Sequence, residues 1–387
     1  MNKRNLSLDI FRGLTMALMV FVNDFWTVLD VPHWMVHTQT WEDGMGLSDI
    51  VYPMFLFAMG MAVPYALESR IAKGASLWNC FTHILERTLA LLVMGCFIVN
   101  SEAGVAWNKG VYWLLMVLGF FLVWNQYPRE AGYKKWLRLA GVVLLVCLGL
   151  AYRSPDGGLF RTSWWGILGQ IGWMYLFTST AYLLCRNRKW ILPVIWLALC
   201  ALNMAMAPHR SGGSLAPANF IADFANALQI GNGHSVIMSM GGLLTSLAGI
   251  GLLDRKPALR TGIGLAAAAV LLVLGLAAHG QWIISKNIGT LPWCLLVSAI
   301  SVALYTLLRA LERKGWTGWS KPLSPAGTAT LTVYMIPYVF YSFWVFFSPS
   351  IPAWLSGGVG IAKCALFSAL CIFCTWCLGR IGIKLKI

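Results

Sequence analysis

The chain has 387 residues, 58% of them hydrophobic and 11% charged, with a mean hydropathy of +0.69; a soluble domain carries roughly 25% charged residues. This excludes a soluble globular domain. The net charge of +15 would suggest nucleic acid in a soluble chain, but here it reads as loop charge facing anionic lipid headgroups, with no nucleic-acid partner.

Apolar runs near the ~20 residues that cross a bilayer predict an all-α, polytopic bundle of about twelve transmembrane helices. In chain order they are Leu8–Val28, Leu47–Leu67, Thr82–Val99, Val111–Trp124, Trp136–Ala151, Gly166–Cys185, Ile191–Met206, Ser235–Leu253, Thr261–Ala278, Leu291–Leu308, Thr328–Phe347 and Gly357–Leu378. The fourth and fifth are the shortest; if they form a re-entrant pair the count is ten and the parity is unchanged. No stretch is left for a separate soluble domain, so residues 1–387 read as one membrane domain.

Lys and Arg collect on the cytoplasmic side of short loops. With the N-terminus inside, 23 of the 29 basic residues fall on that side, leaving Lys109, Arg153, Arg161, Arg210, Lys286 and Lys363 outside. Both termini are then cytoplasmic. Asp9 and Arg12 interrupt what would be the apolar core of a signal peptide, so the first helix reads as retained. At i and i+3 the two also suit a pair at the inner interface, where Arg12 either snorkels or meets an anionic substrate. The ten cysteines lie in or at the ends of predicted helices, which implies no disulfide framework. The stripe Cys371, Cys374 and Cys377 lacks a nearby His or carboxylate and reads as packing, not metal ligation.

An ionisable group at mid-membrane costs about 2.5–3.5 kcal/mol, so clusters of them mark function. Asn23 and Asp24 end the first helix, a loop carries Asp30, His33, His37, Trp41, Glu42 and Asp43, and Asp49 opens the second helix. Both ends of a helical hairpin face one compartment, so these groups converge at the outer face. A carboxylate beside a His is the arrangement acyl transfer needs, since it orients the ring and raises its basicity; a helix cap and a solvated ring are the structural alternatives. Asn23 adds an amide able to hold a carbonyl or oxyanion. Two further outer segments offer polar groups. The loop Ala207–Gly233 carries His209, Arg210, Asn219, Asp223 and Asn226, and the segment from His279 carries Lys286 and Asn287. Twenty tryptophans suit interfacial belts and sugar-binding platforms alike.

The run Ser7-Leu-Asp-Ile-Phe-Arg-Gly through Asn23, then His37-Thr-Gln-Thr-Trp41, then Leu47-Ser-Asp-Ile-Val-Tyr-Pro through Gly60, resembles the heparan-alpha-glucosaminide N-acetyltransferase family and its bacterial relatives. Weaker likeness continues at Ser285-Lys-Asn-Ile-Gly-Thr-Leu and along Ser235–Leu253. The resemblance implies a membrane acetyltransferase, N- or O-directed, that takes acetyl-CoA from the cytosol and acetylates an amino sugar or glycan across a bacterial inner membrane. No metal is implied, and a homodimer is an allowed assembly.

On this likeness His37 is the general base or transient acetyl carrier, with His33 as the alternative, Asp49 is its orienting partner and Asn23 a carbonyl or oxyanion donor. Lys286, Asn287, Trp41 and Gln170 are assigned to the substrate, and Arg12 and Arg87 to the phosphates of CoA. The chain departs from the family at Gly169-Gln170, where a Gln-Arg pair is usual, and at Ala329 and Pro337, where Asn and His are usual; the hairpin Val111–Ala151 is additional. A secondary transporter shares this helix count, but the turn Arg186–Trp190 is short for a six-plus-six linker and no internal repeat is visible. A non-catalytic scaffold related to the enzymes is a third reading.

Overall fold

Within a bilayer a chain must satisfy its own amides and carbonyls, and a helix does so within one segment. The computed structural model describes residues 5–128, 130, 132–210, 231–252, 255–347 and 351–387. Among them there is no β-strand, only two isolated β-bridges. Thirteen α-helices follow among the described residues: α1 (Leu6–Asn23), α2 (Leu47–Ile71), α3 (Leu77–Glu102), α4 (Lys109–Trp124), α5 (Lys134–Ala151), α6 (Ile167–Leu184), α7 (Ile191–Met206), α8 (His234–Gly251), α9 (Pro257–Ala278), α10 (Leu291–Arg313), α11 (Ser324–Thr328), α12 (Thr330–Phe347) and α13 (Gly357–Arg380).

Each predicted segment is helical. Eight helices are long and apolar enough to cross a membrane, namely α1 with its following turn, α2, α3, α8, α9, α10, α12 and α13, and α4 and α7 are shorter apolar helices. By length and composition the chain is an integral membrane protein. The first helix stops at Asn23, short of the expected Val28, and continues as a 3-10 turn over Phe25–Thr27. The cause is Asp24, whose fully buried side chain accepts from Lys363 Nζ at 2.6 Å, Tyr341 at 3.1 Å and Thr27 Oγ1 at 3.2 Å. A carboxylate out of water needs these donors, and the chain turns to reach them. Of the long outer loop, Asn219, Asp223 and Asn226 lie outside the described residues.

Backbone proximity groups the chain into two compact units. The first contains α1 up to Thr15, Pro32–Thr88 and Trp173–Lys321; the second contains Met16–Val31, Leu89–Gly172 and the chain from Pro322. In the first unit α2 and α8 meet backbone to backbone. A Cβ on Gly60 would stand 1.8 Å from the Ser239 carbonyl oxygen, and one on Gly242 would stand 1.9 Å from that of Phe57. Small residues permit this approach between membrane helices, and Ser246 adds a bond to the Met61 carbonyl at 2.8 Å. Elsewhere in the unit Arg186 grips Glu68 through two bonds of 2.9 Å, and Asn5 joins Tyr65 and Tyr305 at 3.0 and 2.9 Å.

In the second unit Tyr152 donates to the carbonyls of Asn100 and Gly104, each at 2.9 Å. The C-terminal strand-like tail pairs with the end of α4 through Gln126 N to Lys384 O and Lys386 N to Trp124 O, both 2.9 Å.

Gly60→Ala is expected to lower the melting temperature of the detergent-solubilised protein, because the clash is with a carbonyl that cannot swing aside and overpacking costs about 1–3 kcal/mol. Gly249→Ala, on α8 with open space at the Cβ position, serves as the control and should leave the melt unchanged.

Candidate functional site

The loop from Pro32 to Gly46 returns the chain to the start of α2, and Asp49 sits one turn inside that helix. At this position a carboxylate reaches back to the free amides of the first turn, as in a capping box. Asp49 Oδ2 accepts from Gly46 N at 3.0 Å, and from Thr38 N and Thr38 Oγ1 at 3.1 Å each. The loop backbone lies so close that a Cβ on Gly46 would stand 1.9 Å from the Val36 carbonyl oxygen, so only glycine fits.

The other carboxylate oxygen, Oδ1, is 2.6 Å from His37 Nδ1. Asp49 has no exposed surface, whereas the His37 side chain is 53% exposed. A buried carboxylate accepts, so Nδ1 carries the hydrogen and the lone pair is left on Nε2. This is the tautomer a general base requires.

Lys286 and Asn287 reach this pair from the segment between α9 and α10. Lys286 Nζ lies beside the ring and the carboxylate, 3.1 Å from His37 Nδ1, 3.4 Å from His37 Nε2 and 3.7 Å from Asp49 Oδ1. Asn287 donates to the Thr38 carbonyl at 3.0 Å, and Trp293 at the start of α10 donates to the Asp49 carbonyl at 3.2 Å. Burial lowers the Lys286 ammonium pKa and the Asp49 charge only partly restores it, so it stands below the ordinary lysine value.

A second clasp joins the same two segments. Asp43 pairs with Arg210, meets His279 Nε2 at 2.9 Å and accepts from Ile284 N at 2.9 Å. Gly44 N returns a bond to the Ile284 carbonyl at 2.9 Å, and Ser285 Oγ reaches the Thr40 carbonyl at 2.9 Å. Partial burial of Asp43 raises its pKa, but the Ile284 amide, His279 and Arg210 together outweigh that and hold it below the usual carboxylate value.

Of the residues chosen from sequence, His37, Asp49, Lys286 and Asn287 come together here. Trp41 rides the same loop and is 71% exposed. His33 pairs instead with Glu42 at 3.1 Å in a solvated position. Arg12 lies 4.0 Å from Asp9, and Arg87 stands over the Tyr175 ring at 4.7 Å. Asn23 and Gln170 belong to the second unit, where Asn23 lines a cavity and Gln170 donates to the Trp165 carbonyl at 2.8 Å. Thr38, Trp293 and the Asp43–His279–Arg210 cluster were not anticipated. Their only sequence signal is that loops assigned to one face carry opposite charges.

These features define a polytopic helical membrane protein with a buried carboxylate behind a solvent-facing histidine. The chain belongs to the family described as a domain of unknown function, DUF5009, which matches residues 4–219, and it is heparan-alpha-glucosaminide N-acetyltransferase-like in sequence. It is 31% identical over 134 residues to the mouse heparan-alpha-glucosaminide N-acetyltransferase, covering 31% of this chain and 20% of that protein. The human protein of the same name is 31% identical over 106 residues, covering 27% of this chain and 15% of its own length. The matched stretch is thus about a fifth or less of either relative.

The pH dependence of the second clasp follows from Asp43. A depressed carboxylate stabilises fully above its unfolded pKa of about 4, and that contribution is lost as pH falls through the lower folded value. The protection factor of the Ile284 amide, its exchange relative to the intrinsic rate at each pH, should be high at pH 5 and fall as pH drops below about 4. In Asp43→Asn it should be low at both.

Proposed function

We propose that the chain is a membrane-embedded acetyltransferase that moves acetyl from acetyl-CoA to an amino sugar or glycan. The observation that carries this reading is the His37–Asp49 pair, in which Asp49 fixes the ring from Nδ1 and leaves Nε2 as the base. The similarity to named N-acetyltransferases supports it.

In the proposed reaction the acceptor amine nitrogen attacks the thioester carbonyl carbon and gives its proton to His37 Nε2. The new C–N bond forms, the C–S bond breaks and the departing thiolate takes that proton from the imidazolium. Asp49 stabilises the imidazolium through Nδ1–H, and the general acid–base catalysis by His37 that this supports contributes about 10²–10⁴-fold. Lys286, 3.4 Å from Nε2, supplies positive charge where the tetrahedral oxyanion develops. A transient acetyl-imidazole would use the same nitrogen; release of CoA without acceptor distinguishes that route.

For the donor, the first unit holds a cavity of about 300 Å³ between α2, α8, α9 and α10. Phe57, Leu244 and Leu271 give it apolar walls, and Arg260, Arg309 and Arg313 line it from the start of α9 and the end of α10. Apolar walls with guanidiniums suit a pantetheine arm and phosphates. Arg12 and Arg87 do not line this cavity. On the positive-inside reading these arginines are cytosolic and His37 is on the far face, which makes the transfer a transmembrane one.

Transfer of labelled acetyl to glucosamine by purified protein should fall at least 100-fold in His37→Ala and remain in His33→Ala; equal activity in His37→Ala would refute the assignment. The alkaline limb of the rate profile should begin below the ordinary lysine pKa of about 10.4, because Lys286 loses its charge early, and Lys286→Arg should move that limb upward.

A further inference from the structure

Lys286 and Asn287 lie on a turn, Ile283 to Thr290, that closes on itself. The Ser285 carbonyl accepts from Gly289 N and Thr290 N at 3.1 Å each, and Thr290 Oγ1 donates to the Ile283 carbonyl at 2.7 Å. Gly289 bends the chain at φ +71°, and a Cβ there would stand 2.5 Å from the His234 ring. The carbonyls of Ile288 and Gly289 are left over: among the described residues no backbone amide donates to either. A backbone carbonyl away from water needs a donor from elsewhere in the chain.

Two asparagine side chains supply the donors. Asn203, one turn from the end of α7 and with no exposed surface, donates Nδ2 to the Gly289 carbonyl at 2.8 Å and to the Asn232 carbonyl at 3.0 Å. Asn232, just before α8, donates Nδ2 to the carbonyls of Ile288 at 2.7 Å and Gly289 at 3.1 Å, while its Oδ1 is 2.6 Å from His234 Nδ1. A nitrogen facing two carbonyls must be the NH2 end of its amide, which fixes the orientation of both side chains. Asn203 Oδ1 has no partner among the described residues. A buried amide in an apolar helix is costly, and here it is used through its donor end alone.

The Asp43 clasp holds the same segment at Ile284. The asparagines hold it at Ile288 and Gly289, and Lys286 stands between the two holds. One hold is made of charges near solvent and the other of neutral amides that do not titrate.

We infer that Asn203 and Asn232 are positioning residues for Lys286: they fix the turn by its Ile288 and Gly289 carbonyls, so that the ammonium stands at the His37–Asp49 pair. Neither asparagine hydrogen-bonds to that pair, and both act through the turn. The positioning stands on these bonds, and its effect on turnover rests on the transferase reading above.

Asn203→Leu removes the donor with an apolar side chain that suits a membrane helix, and Asn232→Ala, at a partly exposed position, carries the test where Asn203→Leu does not fold. The first measurement is the titration of Lys286 in the full-length protein in detergent, by competitive labelling with acetic anhydride read by mass spectrometry. In the wild type it should lie below the ordinary lysine value of about 10.4, because the ammonium is partly buried. In each variant it should move up toward that value as the turn loosens and water reaches Lys286; a general loss of structure would move the other lysines as well. The second measurement is turnover. Each variant should lower kcat about 10-fold, and in a Lys286→Ala background the same substitution should lower it no further. An unmoved Lys286 titration in a folded variant, or a further loss of kcat in the Lys286→Ala background, overturns the proposal. A titration that moves in a protein without transferase activity supports the positioning and refutes the transferase reading alone.

Discussion

A carboxylate with no exposed surface must find donors within the protein, because the desolvation cost of an isolated buried charge is several kcal/mol. Asp49 meets that requirement with the amides of Thr38 and Gly46, the Thr38 hydroxyl, the His37 ring and the Lys286 ammonium. Four of these donor groups come from the loop before α2 and one from the segment after α9, and all of them converge on the carboxylate. The site is therefore a consequence of solvating one charge, and the orientation of His37 follows from it.

The same accounting describes the second unit, where Asp24 gathers Lys363, Tyr341 and Thr27. The difference lies in what is left over. Around Asp49 an imidazole faces solvent with its Nε2 lone pair beside the Lys286 ammonium, 3.4 Å away. Around Asp24 the donors Lys363, Tyr341 and Thr27 leave the carboxylate fully paired, a structural outcome. Each unit thus keeps one buried acid for structure, and the exposed groups beside it set what the unit can do.

The helices were legible because length and apolarity alone decide what can cross a bilayer. The His37–Asp49 pair was legible for another reason: its members are 12 residues apart on one hairpin, so topology brings them together. Contacts between distant segments were not. Lys363 is 339 residues from Asp24, and its pull is what ends α1 early; His279 is 236 residues from Asp43. Charge identifies such residues as polar but does not say which will meet. Arg12 and Arg87 illustrate the point, since position near the inner face was the whole case for them, and the arginines lining the first unit's cavity come from α9 and α10.

The contact at Gly60 and Gly242 has a consequence for motion. Residues along a helix rise 1.5 Å apiece, and Gly60 stands between Met59 and Met61, with the Ser239 carbonyl against its bare backbone. Any register that brought a side-chain-bearing residue of α2 to the place of Gly60 would drive a Cβ into that carbonyl. The two helices thus act as a fixed post, and Asp49, three turns along α2 from Gly60, inherits a position that ligand arrival cannot shift by translation of its helix. Any opening of the site must come from the loops that lean on the post.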